Sequence, residues 1–170
     1  IVHLDASPAE NIHAMAKAKN VDVSQITACI MDRPRHEKLI EAVRATGAAI
    51  RLIGDGDVAG VIHTTAPEET GIDIYMGSGG APEGVLAAAA MRCVGGQIQG
   101  RLKPTNDDER IRAGQMGITD INRKFNLEDL ASGDVIFSAT GVTDGSLLDG
   151  VHFRGDFAET ETVVMRSKSG

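Results

Sequence analysis

Short apolar, β-branched runs alternate along this chain with segments whose apolar residues recur at helical spacing. Residues 26–31, 49–53 and 72–76 read as strands. Between them, residues 36–46 carry Leu39, Ile40 and Val43 on one helical stripe, closed by Gly47. Residues 58–65 read as a short helix ending before Pro67, and Ala81-Pro82-Glu83 opens a helix that stops at Gly95-Gly96. Strands separated by helices of this length form βαβ units, which demand a mainly parallel or mixed sheet flanked by helices. The length of 170 residues suits one domain, and no repeat or linker divides it. The fold class expected is therefore α/β.

The flanking segments fit less regularly. Ile1-Val2-His3-Leu4 reads as a strand. Ser7-Pro8-Ala9-Glu10 is a capping box with proline at the first helical position, and Ile12, Met15 and Ala16 form the stripe that follows. Residues 97–102 are strand-like, 107–116 form a polar helix with acids in its first turn, and 126–131 a short helical piece. Residues 134–138 read as a buried strand, and 151–153 and 160–165 as closing, antiparallel strands.

Composition removes several function classes. Seventeen Lys and Arg against 24 Asp and Glu give a net charge of −7, and aromatics are 3% with no Trp and one Tyr. Base stacking is excluded as a binding mode, and neither a nucleic-acid backbone nor an anionic membrane suits such a surface as main partner. A phosphorylated small molecule is not excluded, because two local cations are enough to hold it. No apolar run approaches the ~18 residues of a membrane span, and no stretch reads as a signal peptide. Cys29 and Cys93 lie in apolar runs, as buried free thiols do in a reducing compartment, so the location expected is cytoplasmic.

Ligands of open α/β sheets bind beyond the carboxyl ends of the strands, and polar clusters follow four of the strands here. Asp32-Arg33-Pro34-Arg35-His36 sets two guanidinium forks around a proline that keeps Arg33 extended. Gly54-Asp55-Gly56-Asp57 sets two carboxylates on a turn; they can meet a metal or sugar hydroxyls, or Asp57 can cap the next helix. Gly77-Ser78-Gly79-Gly80, followed by Glu83 in a first helical turn, offers backbone N–H groups to an anion without the spacing or lysine of a P-loop. Thr140, Thr143 and Asp144 form the fourth cluster, read mainly as structural. If all four gather on one sheet edge, they make a site. The five histidines lack ligand spacing, so a zinc site is not expected.

In these stretches, and in Val135-Ile136-Phe137-Ser138-Ala139-Thr140-Gly141-Val142-Thr143-Asp144-Gly145, the chain resembles the class II (GlpX-type) fructose-1,6-bisphosphatases. Ala87-Ala88-Ala89-Ala90-Met91-Arg92-Cys93 is similar to photosynthetic-bacterial members that also act on sedoheptulose 1,7-bisphosphate. The resemblance implies a cytoplasmic, homo-oligomeric hydrolase of gluconeogenesis or the Calvin cycle. With Mg²⁺ or Mn²⁺, it would convert fructose 1,6-bisphosphate to fructose 6-phosphate. It implies that Arg33 and Arg35 hold the retained phosphate, that Asp55 and Asp57 contact sugar hydroxyls, that Gly80 makes a backbone contact, and that Glu83 is a metal ligand. The family's chain is about twice as long. Residues 1–170 correspond to the substrate-binding second half of a layered sugar-phosphatase sandwich, without the half that carries most acidic metal ligands, so this chain alone is expected to be inactive. No catalytic residue is assigned within it. Two further readings stay open: a non-catalytic sugar-phosphate-binding or regulatory domain, and a sugar-phosphate isomerase that works without metal.

Overall fold

The computed structural model describes residues 1–168. Its centre is a three-stranded parallel sheet in the order β2-β1-β3, with β1 at Thr27–Met31, β2 at Ala49–Ile53 and β3 at Ile74–Tyr75. β1 is buried on both faces, as the middle strand of a parallel sheet must be. Its alternate residues define two cores. Ala28 and Ile30 pack with Ile74 against α1 (Pro8–Lys19) and α2 (Glu37–Arg44), through Ile12, Ala16, Ile40 and Val43. Behind the other face lie α3 (Asp57–His63) and α5 (Ala81–Val94). Between them, α4 (Pro67–Thr70) turns the chain into β3.

The helix starts follow their local chemistry. At α1 the Ser7 hydroxyl accepts the Glu10 N–H and the Glu10 carboxylate accepts the Ser7 N–H, so the capping box is closed. α5 is almost all small apolar residues, and Ala87, Ala88, Ala90 and Met91 are buried because the helix is covered on two sides. One side packs against α3, which lies on the sheet. The other faces the antiparallel ribbon of β6 (Ile136–Thr140) and β9 (Thr162–Arg166), which presents Phe137, Ala139, Val163 and Met165. The layers therefore run helices, sheet, helices, ribbon. The remaining pieces are smaller. β4 (Gln99–Gly100) pairs with β5 (Phe125–Asn126), α6 spans Asp107–Gln115 and α7 spans Leu127–Leu130. β7 (His152–Arg154) and β8 (Phe157–Glu159) form a hairpin.

Three expectations change. Residues 1–4 form no strand: the His3 N–H goes to Asn11 and the Leu4 N–H to the Gln99 side chain, so side chains satisfy backbone groups that a ladder would use. Pairing at 97–102 shrinks to Gln99–Gly100. The strand expected at 134–138 lies at Ile136–Thr140 and is half-exposed, since Phe137 faces α5 while Ile136 is 74% exposed. β3 is short by name, yet Asp73 N–H to Thr27 and Met76 N–H to Cys29 extend its bonding to β1 at both ends.

Candidate functional site

All three sheet strands end on the same edge, so the first three polar clusters meet there. After β1, Arg33 is extended (φ −142°, ψ 144°), as the following proline requires, and Pro34–His36 makes a 3₁₀ turn. The Arg33 guanidinium donates to the Asp32 and Gly54 carbonyls, joining the β1 and β2 loops. Arg35 donates from Nε to the Ser78 carbonyl at 2.9 Å, joining the β1 loop to the glycine loop. Among the described residues no carboxylate pairs with either guanidinium. Two cations held by neutral carbonyls keep their charge and most of their N–H donors available to an anion.

The acids border the same loop. A Cβ on Gly79 would stand 3.0 Å from Asp57 Oδ2, and one on Gly80 would run into the Glu83 carboxylate. Asp55 is exposed on the turn between Gly54 and Gly56. Asp57 is not the cap of α3. Gly56 holds that position with φ +73°, a left-handed conformation natural to glycine, and Asp57 is the first helical residue, accepting the Val58 N–H at 2.9 Å. Asp55 lies exposed on the β2 turn, and Arg33, Arg35, Asp57, Gly80 and Glu83 thus lie along one rim made by the three loops. An open depression of about 380 Å³ adjoins it, lined by Asp32, Arg33, Glu37, Ile40 and Arg44 among others, and shares only Arg33 with that rim.

The fourth cluster does not join. Thr140 ends β6, in the ribbon rather than the sheet, and its hydroxyl meets Thr162. Asp144 accepts the Gly150 N–H and lies 3.0 Å from His152, so the loop satisfies itself. A helix layer separates ribbon from sheet, which is why the end of β6 is not an end of the central sheet.

The metal assignment meets a limit. Among the described residues no three His, Cys, Asp or Glu side chains converge to hold an ion. Glu83 alone does not fit an octahedral divalent cation, which takes several oxygens.

Two residues that sequence reading did not assign underlie the rim. His36 is 2% exposed and lies beneath the glycine loop. Tyr75, at the end of β3, has its phenol pushed up to about 12, first by burial and then by the Asp57 charge, with Arg35 opposing. The signal for Tyr75 was its place as the sole tyrosine, two positions before the glycine run. For His36 it was a polar residue directly after Arg35, at the start of an apolar helical stripe.

The fold and rim define a class: a parallel α/β domain that presents two carbonyl-held guanidiniums and several carboxylates at the carboxyl ends of its strands. The chain belongs to the family of glpX-encoded bacterial fructose-1,6-bisphosphatases, whose model matches residues 1–170. It is 42% identical, over 99% of its length, to a D-fructose 1,6-bisphosphatase class 2/sedoheptulose 1,7-bisphosphatase of Synechococcus sp. (strain JA-3-3Ab), and 40% identical to the protein of that name from Microcystis aeruginosa (strain NIES-843 / IAM M-2473). The chain spans about half the length of these curated relatives, 52% in each case.

Proposed function

We propose that this chain is the sugar-phosphate-gripping half of a phosphatase that removes the 1-phosphate of fructose 1,6-bisphosphate, with sedoheptulose 1,7-bisphosphate as a second substrate. The observation that carries the reading is the pair of guanidiniums, Arg33 and Arg35, on one sheet edge, tethered by backbone carbonyls and, among the described residues, unpaired with carboxylates. They suit the retained phosphate, which two forks can grip by charge-assisted hydrogen bonds. Asp55 and Asp57 suit the sugar hydroxyls as acceptors, and the N–H of Gly80 lies where α5 begins. The grip orients the distant ester, an entropic contribution to rate, and binding energy at the retained phosphate favours bisphosphates.

Mg²⁺ or Mn²⁺ belongs to this reading, with Glu83 as one ligand. The other ligands then come from the part of the relatives' length that this chain does not span. A cytoplasmic homo-oligomer is part of the same proposal. Among the described residues no helix is long and apolar enough to cross a membrane.

The test is phosphate release by the full-length protein that carries this chain. Arg35→Ala raises KM about tenfold or more, the loss of a charge-assisted contact, with a smaller effect on kcat; an unchanged KM removes Arg35 from the phosphate site. Glu83→Ala lowers kcat and shifts metal activation, whereas a normal activation curve excludes it as a ligand. A second reading is a sugar-phosphate-binding domain without catalysis, which the same rim would serve. Metal-dependent turnover by the full-length protein decides against it.

A further inference from the structure

Among the described residues His36 is the buried histidine beside the rim, and both of its nitrogens are committed. Nδ1 lies 2.8 Å from the Met31 carbonyl. Nε2 lies 2.9 Å from the Ser78 backbone nitrogen and 3.2 Å from the Ser78 hydroxyl. A carbonyl can only accept and a backbone N–H can only donate, so Nδ1 carries the proton and Nε2 is the acceptor. The Ser78 peptide continues the line, since its carbonyl takes the Arg35 Nε–H at 2.9 Å. Gly77 leaves the room this needs: a Cβ there would stand 3.2 Å from the ring's Cε1.

We propose that His36 is a positioning residue that sets the guanidinium of Arg35 for its anion, through the line Met31 C=O, His36, Ser78, Arg35. The ring ties the glycine loop to the end of the central strand. The loop's carbonyl then fixes the plane in which Arg35 presents its two terminal amino groups. Asparagine at position 36 can keep the donor toward Met31 but brings no acceptor to the Ser78 N–H. Glutamine can reach Ser78 with its carbonyl oxygen. The proposal rests on the reading of Arg35 as an anion-gripping residue, and its test separates the two.

The experiment is nitrogen NMR of the full-length protein that carries this chain, with titration by inorganic phosphate. In the unaltered chain, Nδ1 of His36 is protonated and Nε2 is not. A proton on Nε2 overturns the proposal without any variant. In His36→Asn the Arg35 Nε–H exchanges with water at least tenfold faster, while the Thr27 amide, bonded to Asp73 in the sheet, keeps its shift. In His36→Gln most of the protection returns. Unchanged Arg35 exchange in His36→Asn overturns the proposal. For phosphate, His36→Asn weakens binding about tenfold, as Arg35→Ala does, and the double variant is no weaker than Arg35→Ala alone. Additive losses mean a structural role only and overturn it. If Arg35→Ala binds phosphate as the unaltered chain does, the anion reading of Arg35 fails, while the exchange measurement still decides whether His36 positions it.

Discussion

Arg35 commits one N–H to a backbone carbonyl and leaves the rest of its fork facing outward. Tyr75 stands close enough to feel both Arg35 and Asp57, and it is the only tyrosine in a chain without tryptophan. It is therefore a single optical probe of the rim. Its phenolate absorbance should rise with a midpoint near 12 in the folded chain and near 10 once unfolded. The sign for stability follows. Between those values the unfolded chain has lost a proton that the folded chain retains, so stability present below pH ~10 falls as pH rises toward 12. A folded-state midpoint at 10 would show that the ring is not buried under the loop. The placement of these residues on one sheet edge was partly legible. Arg33 and Arg35 stood out because two forks around a proline are unusual. His36 was overlooked because its role depends on the Met31 and Ser78 backbone, and no side-chain pattern encodes which backbone group will lie opposite a ring.

Element ends and loops explain where reading by pattern succeeded. The central strand β1 was legible because a strand buried on both faces is a continuous apolar run. The ribbon was displaced by two residues because β6 alternates, and its inward face is set by α5 rather than by its own sequence. Its loop offers a sharp test. Gly141 is buried, and a Cβ there would collide with the Asp149 backbone carbonyl, which cannot swing aside as a side chain can. Gly141→Ala should cost about 2–3 kcal/mol by chemical denaturation, the range for forced overpacking. Gly145→Ala, whose nearest neighbour would be the Leu148 carbonyl at 3.6 Å, should stay within ~0.5 kcal/mol. Equal effects would show that the loop yields. A second element-scale test lies where α1 meets the sheet. Asp73 is buried, accepts the Thr27 N–H at 2.8 Å, and pairs with Lys19. Asp73→Ala strands a buried N–H and an ammonium, and should cost about 2–3 kcal/mol. The hydrogen bond to Asp73 raises the Lys19 pKa, so this pair's contribution is complete below the ordinary lysine value and is lost as pH rises through the raised one.

At the scale of the whole molecule, α5 is the shared wall. On one side it packs against α3, which meets the sheet whose edge carries the rim, and on the other it supports the β6–β9 ribbon. Met91 is 1% exposed and belongs to the core that joins these layers. The layer order could not be read from periodicity, because an alanine-rich helix has no polar face to show that both of its sides are covered. That double coverage predicts that sheet and ribbon unfold together. Met91→Ala should remove about 2–4 kcal/mol through lost burial and the cavity left behind. The loss should register equally in Tyr75 fluorescence, which reports the sheet side, and in amide exchange of Val163 and Met165, which reports the ribbon. A single denaturant midpoint shared by both probes, shifted downward in the variant, fits one cooperative unit. If the ribbon amides opened while Tyr75 kept its folded signal, α5 would not transmit stability between layers, and the rim would rest on the parallel sheet and its helices alone.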